Sequence, residues 1–303
     1  MALTETVTGR SSRTKGPRVW LDMDQQELDD AYDQAVYAPN REQVHARRQA
    51  NSAVARAVLG EPLRLQYGAS EIEGLDVYRT KSPNAPVAIY VHGGAWRSGR
   101  AREFAYLAEL FVNAGAHSVI ADFNNIDEVG GNLMIMARQV RNAVAWVHKN
   151  AACFGGDAGR LFVFGHSSGG HLGGCVVTAD WQRDFALPKD VVKGAVLASG
   201  MYDLKPVRLS KRSKYVNFTD EIEEELSAQR HLDRLNCPIV AAYGTLETPE
   251  FQRQTRDFAA AVKAAGKPVE LLVGESYNHF EMLETLASPF GLLGRAALRL
   301  MKL

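Results

Sequence analysis

The chain has 303 residues, with 35 basic and 35 acidic side chains and a hydrophobic fraction of 46%. That is enough chain to bury a large core, and it points to one large domain rather than two equal ones. Zero net charge offers nothing to nucleic acid or an anionic membrane, and runs such as Lys211-Arg212-Ser213-Lys214 and Glu221-Ile222-Glu223-Glu224-Glu225 read as solvated faces.

Residues 1–18 read as a flexible tail, polar and rich in Ser, Thr, Arg and Lys, without the apolar stretch of a secretory signal. Residues 19–303 read as a single domain. Its first segment, 24–60, is helical: Leu28, Ala31, Tyr32 and Val36 recur at helical spacing, Pro39-Asn40 interrupts, and 44–58 resumes the pattern. This segment is expected to fold over the domain as a partial cap.

Strands and helices then alternate. Strand patterns cover 63–67, 75–79, 87–91, 118–123, 161–164, 194–198, 238–243 and 269–273. Several are unbroken apolar runs, as in strands buried on both faces. Helical patterns cover 102–114, 133–149, 170–177, 249–265 and 281–303. The order predicts an α/β domain with a mostly parallel eight-stranded sheet and helices on both faces. Residues 201–235 form a connection too long for a simple crossover and are expected to make a partial lid.

The three cysteines, Cys153, Cys175 and Cys237, form no C-x-x-C, so a reducing, cytoplasmic setting is expected. No run approaches the roughly 18 apolar residues that span a bilayer.

Two motifs carry chemistry. Gly165-His166-Ser167-Ser168-Gly169 follows the apolar run 161–164, so the strand–turn–helix context makes Ser167 a candidate nucleophile. His92-Gly93-Gly94-Ala95-Trp96 follows the run 87–91, and its glycines let amides face a ligand closely. The amides of Gly94, Ala95 and Ser168, with Gly93 as a further candidate, could receive a developing oxyanion.

A serine needs a base, and the base an orienting acid, from loops after later strands. Of the eight histidines only His231 and His279 lie well downstream of Ser167, and His279 follows the last strand. Glu247 is the best placed carboxylate after the seventh strand. Glu250 is a close rival at a helix start, where the helix dipole offers it a structural role, and Asp203 is third. Trp96 and His166 are candidate pocket residues, although Trp96 reads equally well as packing against the N-terminal helices. His171 reads as buried and hydrogen-bonded. Gly155-Gly156-Asp157 is a turn without a following G-K-[ST], and no H-E-x-x-H occurs, so neither cofactor nor metal is expected.

These residues resemble the α/β-hydrolase superfamily, and within it the kynurenine formamidase (arylformamidase) and esterase/lipase-like group. The resemblance rests on the two motifs extended through Gly170-His171-Leu172, and on Tyr202-Asp203-Leu204-Lys205-Pro206, Thr248-Pro249-Glu250-Phe251 and Asn278-His279-Phe280. It implies Ser167 as nucleophile and His279 as base. The family's acid is usually an aspartate, and this chain has Glu247 at that position. The expected function is hydrolysis of a small-molecule carboxylic ester through an acyl-enzyme with a Ser-His-Glu triad. Formamide hydrolysis by the same triad is the alternative. A non-catalytic binding protein would need a lost triad member, and none is lost. A homodimer is the one protein assembly entertained.

Overall fold

A computed structural model describes residues 14–303. Residues 1–13 of the expected tail lie outside the described residues, and by Arg18 the chain is already in a strand. Two short strands, β1 (Arg18–Trp20) and β2 (Met23–Asp24), pair antiparallel. The main sheet contains β3 (Leu63–Gln66), β4 (Gly74–Tyr78), β5 (Ala85–Val91), β6 (His117–Ala121), β7 (Gly156–His166), β8 (Val192–Ala198), β9 (Ile239–Gly244) and β10 (Val269–Gly274). Its eight strands run in the order β10-β9-β8-β7-β5-β6-β4-β3. Only β4 runs against its neighbours. All eight strand patterns read from the sequence are present, in a mostly parallel sheet.

The helices are α1 (Gln25–Ala31), α2 (Arg41–Leu59), α3 (Ala108–Asn113), α4 (Leu133–Asn150), α5 (Ser168–Val177), α6 (Trp181–Phe185), α7 (Lys205–Leu209), α8 (Asp220–Glu225), α9 (Pro249–Ala264), α10 (His279–Glu284) and α11 (Leu292–Met301). Alternate residues of each central strand enter opposite cores, as the pleat requires. Val87, Ile89, Val91, Leu161, Val163, Leu197 and Ala241 pack with α4 and α9. Ala88, Tyr90, Phe162, Phe164, Val196 and Ala242 pack with α3 and α11. Among the described residues no helix is long and apolar enough to cross a membrane.

Two helix expectations are corrected. The segment 281–303 is not one helix: α10 ends, a 3-10 turn follows at Thr285–Ala287, and α11 starts only at Leu292. Pro289 supplies no N–H and pushes Ser288 to extended backbone (φ −132°, ψ 138°), which stops the helix. The segment 102–114 opens as a 3-10 turn, Ala101–Leu107, before becoming α3.

The N-terminal segment is held down by specific bonds. Asp24 caps α1 by accepting from the Glu27 amide (3.0 Å), while Glu27 accepts from the Asp24 amide (2.9 Å). The Thr248 hydroxyl donates to the Ala31 carbonyl (2.6 Å), and Tyr32 donates to Glu250 (3.0 Å). Asp33 pairs with Lys211 at 2.6 Å, tying this segment to the 201–235 connection.

β5 pairs with β6 on one side and β7 on the other, so the crossovers diverge between β5 and β7. The crevice at the carboxyl ends of such diverging strands is where ligands bind in doubly wound sheets. Both motifs sit there.

Candidate active site

Ser167 follows β7 in a tight turn with φ +60° and ψ −127°, a conformation a non-glycine residue adopts only under constraint. Its neighbours explain how the turn closes. A Cβ on Gly165 would lie 2.3 Å from the Gly169 carbonyl oxygen, and one on Gly169 would lie 2.1 Å from that of Val91. The two glycines let β7, α5 and the end of β5 converge beneath the serine.

His279 is the first residue of α10. Asn278 caps that helix, accepting from the Phe280 and Glu281 amides (3.0 and 3.1 Å), and its side-chain amide donates to Asn40 (2.8 Å). This fixes the imidazole above Ser167: the serine hydroxyl and His279 Nε2 are 2.8 Å apart. On the other side, His279 Nδ1 is 2.8 Å from Glu247 Oε2. Glu247 sits in the turn after β9, and its Oε1 accepts from the Gly244 amide (2.7 Å) and the Ser199 hydroxyl (2.6 Å). A carboxylate with three donors around it assigns the Nδ1 proton to His279 and leaves Nε2 to accept from Ser167.

Both partners are buried. Burial pushes Glu247 up to about 7, against the pull of its Ser199 and Gly244 bonds. Burial, with the charges of Arg212 and Arg48 adding to it, holds His279 well below the ordinary histidine range.

Residues 75–294 match the BD-FAE family. The chain belongs to that family. It is 31% identical over 294 residues to kynurenine formamidase of Danio rerio, covering 93% of this chain and 98% of that protein. It is also 31% identical over 233 residues to esterase LipC of Mycobacterium tuberculosis, covering 73% of this chain and 57% of that protein. A candidate thioesterase of Silicibacter sp. TM1040 has a similar structure, with a TM-score of 0.76 at 22% identity over 88% of this chain and 97% of that one. The fold is that of the α/β-hydrolases, and this BD-FAE member is a hydrolase of ester or amide bonds.

The rival carboxylates have other partners. Glu250 forms a two-pronged ion pair with Arg253 (2.6 and 2.7 Å) and accepts from Tyr32, so it locks the N-terminal segment to α9. Asp203 accepts from Arg230 (3.1 Å).

In this BD-FAE chain the loop after β5 bends through positive φ at Gly94, Ala95 and Trp96. The Trp96 amide donates to the Ser168 hydroxyl (3.1 Å), pinning the loop to the first residue of α5. Among the described residues, none of the Gly94, Ala95 and Ser168 amides donates to a backbone carbonyl outside regular elements. Gly93 lies against His166 and Ser167. His92 is stacked on Phe123 at 4.2 Å, and burial pushes it down to about 4.

A cavity of about 670 Å³ opens onto Ser167, and Gly93, Gly94, Ala95, His166 and His279 are in its wall. His166 lies there as expected, its ring 4.5 Å from that of His279 and kept neutral by burial. Trp96 is corrected: it is absent from the wall, its indole N–H donates to His171 (3.3 Å), and its ring lies beneath Arg212 (5.3 Å). The remaining walls come from Tyr32 to Ala35, from α2, from Arg97 to Gly99 with Glu103 and Phe104, from Phe280 and Leu283, and from Lys211, Arg212, Lys214 and Tyr215. Within the Lys211-Arg212-Ser213-Lys214 run, Arg212 turns inward and is 5% exposed, while Ser213 and Lys214 face solvent.

Sequence reasoning missed Ser199, Arg212 and Arg48. Ser199 follows β8 without any motif, and the two arginines come from segments distant in the chain. Among the described residues, no cluster of three or more His, Cys, Asp or Glu is arranged to hold a metal ion.

Proposed function

We propose that the protein is a serine hydrolase of carboxylic esters, acting through an acyl-enzyme on Ser167 with His279 as base and Glu247 as orienting acid. The observation that carries this reading is the hydrogen-bond chain Ser167–His279–Glu247, with both links at 2.8 Å, beside a cavity at the sheet's switch point.

In the first half-reaction His279 Nε2 takes the Ser167 proton while Oγ bonds to the substrate carbonyl carbon. The carbonyl oxygen gains the negative charge and is received by the amides of Gly94, Ala95 and Ser168. The bond to the leaving oxygen breaks as Nε2 returns the proton to it. In the second half-reaction His279 deprotonates water, the resulting hydroxide attacks the acyl carbon, and Ser167 departs with the proton. Glu247 fixes the tautomer and stabilises the imidazolium in each step.

A second reading, hydrolysis of an N-formylated aryl amine such as N-formylkynurenine, uses the same steps with a leaving nitrogen. It is favoured by the likeness to a kynurenine formamidase, which extends through the N-terminal segment, whereas LipC is matched over a shorter stretch. The test compares kcat/KM for N-formylkynurenine with that for a panel of aryl and alkyl esters, in the native protein and in Ser167→Ala. Esters should be cleaved in a Ser167-dependent manner and with the higher constant. A higher constant for the formamide would select the second reading. Turnover undiminished in Ser167→Ala would contradict both.

A further inference from the structure

The cavity wall holds two arginines buried like core residues: Arg212 is 5% exposed and Arg48 is 8% exposed. Among the described residues neither has a carboxylate partner. Arg212 donates to the Tyr215 hydroxyl (3.0 Å) and the Tyr32 carbonyl (3.2 Å), which uses two of a guanidinium's five N–H donors. Arg48 donates to the Phe280 carbonyl. The Nε of each is buried without a partner.

Arg212 is framed by aromatic rings, with Trp96 at 5.3 Å, Phe251 at 5.9 Å and Tyr32 at 6.0 Å from its central carbon. Those rings orient a cation and soften its burial, but they bring no countercharge. Two carboxylates share the cavity wall, Asp33, whose charge also bears on Arg212, and the exposed Glu103, and neither forms an ion pair with Arg212 or Arg48 among the described residues. Asp33 is paired with Lys211, and Glu247 is turned toward His279. Both arginines line the cavity that opens onto Ser167, and their charges bear on His279, with Arg48 also bearing on His166. A buried charge without a countercharge is costly, and two in one cavity leave a place that an anion fills.

We propose that this cavity selects substrates carrying a carboxylate, gripped by Arg212 with Arg48 as the second cation, while the scissile carbonyl lies at Ser167. Arg212 is the specificity-determining residue. Each of its terminal nitrogens carries one N–H beyond those given to Tyr215 and Tyr32, and the surrounding rings of Trp96, Phe251 and Tyr32 keep the guanidinium from swinging away. The substrate class is an ester or amide whose acyl or leaving portion ends in a carboxylate. This deepens the hydrolase reading and rests on it for the position of the scissile bond.

The experiment uses two matched pairs of esters. In one, the carboxylate is on the acyl side: 4-nitrophenyl hydrogen glutarate against its neutral methyl ester. In the other it is on the leaving side: 3-acetoxybenzoate against methyl 3-acetoxybenzoate. At least one pair should favour the carboxylate member in kcat/KM by about tenfold or more, the scale of a charge-assisted hydrogen bond. Arg212→Gln should collapse that ratio toward one through a rise in KM for the anion, and Arg212→Lys should keep part of it. Ratios near one in both pairs, or a ratio that survives Arg212→Gln, would overturn the proposal. So would an equal fall of both members, which is what a purely structural arginine would give.

A binding arm separates this proposal from the hydrolase reading. Calorimetry on Ser167→Ala should show 3-phenylpropionate binding more tightly than 3-phenylpropionamide, with the difference removed by adding Arg212→Gln. If no ester is turned over but this difference is present, the ester-hydrolase reading fails alone. If Ser167-dependent turnover is present without carboxylate preference in either arm, the anion site fails alone.

Discussion

The Ser199 hydroxyl donates to Glu247 Oε1 across 2.6 Å, holding the carboxylate whose other oxygen faces His279. Ser199 is fully buried at φ +53°, and its amide is tied to the Ala242 carbonyl at 2.7 Å. It is a positioning residue: it reaches the imidazole only through Glu247. Ser199→Ala should lower kcat about tenfold, consistent with losing a hydrogen bond to a charged group worth about 1.5 kcal/mol or more. KM for a neutral ester should stay nearly constant. A matching change in KM and kcat, with a fall in melting temperature, would instead mark Ser199 as packing only.

Glu247 and Glu250 are three residues apart and have separate partners, His279, Ser199 and the Gly244 amide for one, Arg253 and Tyr32 for the other. Glu247→Gln removes the charge that fixes the imidazole tautomer, and kcat should fall by roughly 10⁴ on the scale of triad-acid replacements. Glu250→Gln should act on stability, because Tyr32 and Arg253 lose their buried partner. A loss of about 1.5 kcal/mol is expected, because Arg253 is partly exposed and keeps Asp257 at 2.6 Å. Denaturant titrations and ester kinetics on both variants check this, and a reversed pattern would move the acid to Glu250.

The pH profile carries the signature of Arg212. The reactive state has one proton on the Glu247–His279 pair, and acid inactivates by adding another. Adding that proton places positive charge near Arg212 and Arg48, and both cations oppose it at His279. Removing the Arg212 charge should make the proton easier to add, so in Arg212→Gln the acid limb of kcat/KM for a neutral ester should move to higher pH. His166, neutral through burial, does not compensate. A limb that stays in place, or moves to lower pH, would contradict the electrostatic picture.

Gly169 tests the turn beneath the serine. A methyl group there would lie 2.1 Å from the Val91 carbonyl oxygen, with the His92 carbonyl also in its way. Backbone cannot yield as a flexible side chain can, so Gly169→Ala should destabilise by about 3 kcal/mol or more. Thermal melting of the variant measures it. A melting temperature within a degree or two of the native protein would show that β5 and α5 do not converge as described.

The sequence made the machinery legible where local rules act. The unbroken apolar runs became the central strands β5 to β9 because parallel strands buried on both faces need no alternation. Ser167, His279 and Glu247, each read from the strand it follows, stand in one hydrogen-bond chain. The readings that went astray depended on tertiary context. Pro289 ends a helix whose apolar pattern continues past it. Trp96 follows Ala95 at the end of the glycine motif, where both residues have positive φ, and its indole turns inward to His171. Arg212 sits in a basic run like any solvated face, and only the rings of Trp96, Phe251 and Tyr32 folded around it make it a buried cation. No short-range pattern encodes how residues of α2 and of the 201–235 connection come to line one cavity.

The most direct test of the central claim is covalent capture of the nucleophile. The protein is treated with a small fluorophosphonate, digested and read by mass spectrometry, with ester hydrolysis followed in parallel. The account predicts one phosphonyl adduct on the peptide containing Ser167, forming in step with loss of activity and absent in Ser167→Ala. Full activity without an adduct, or an adduct on another residue that tracks the loss, would contradict it.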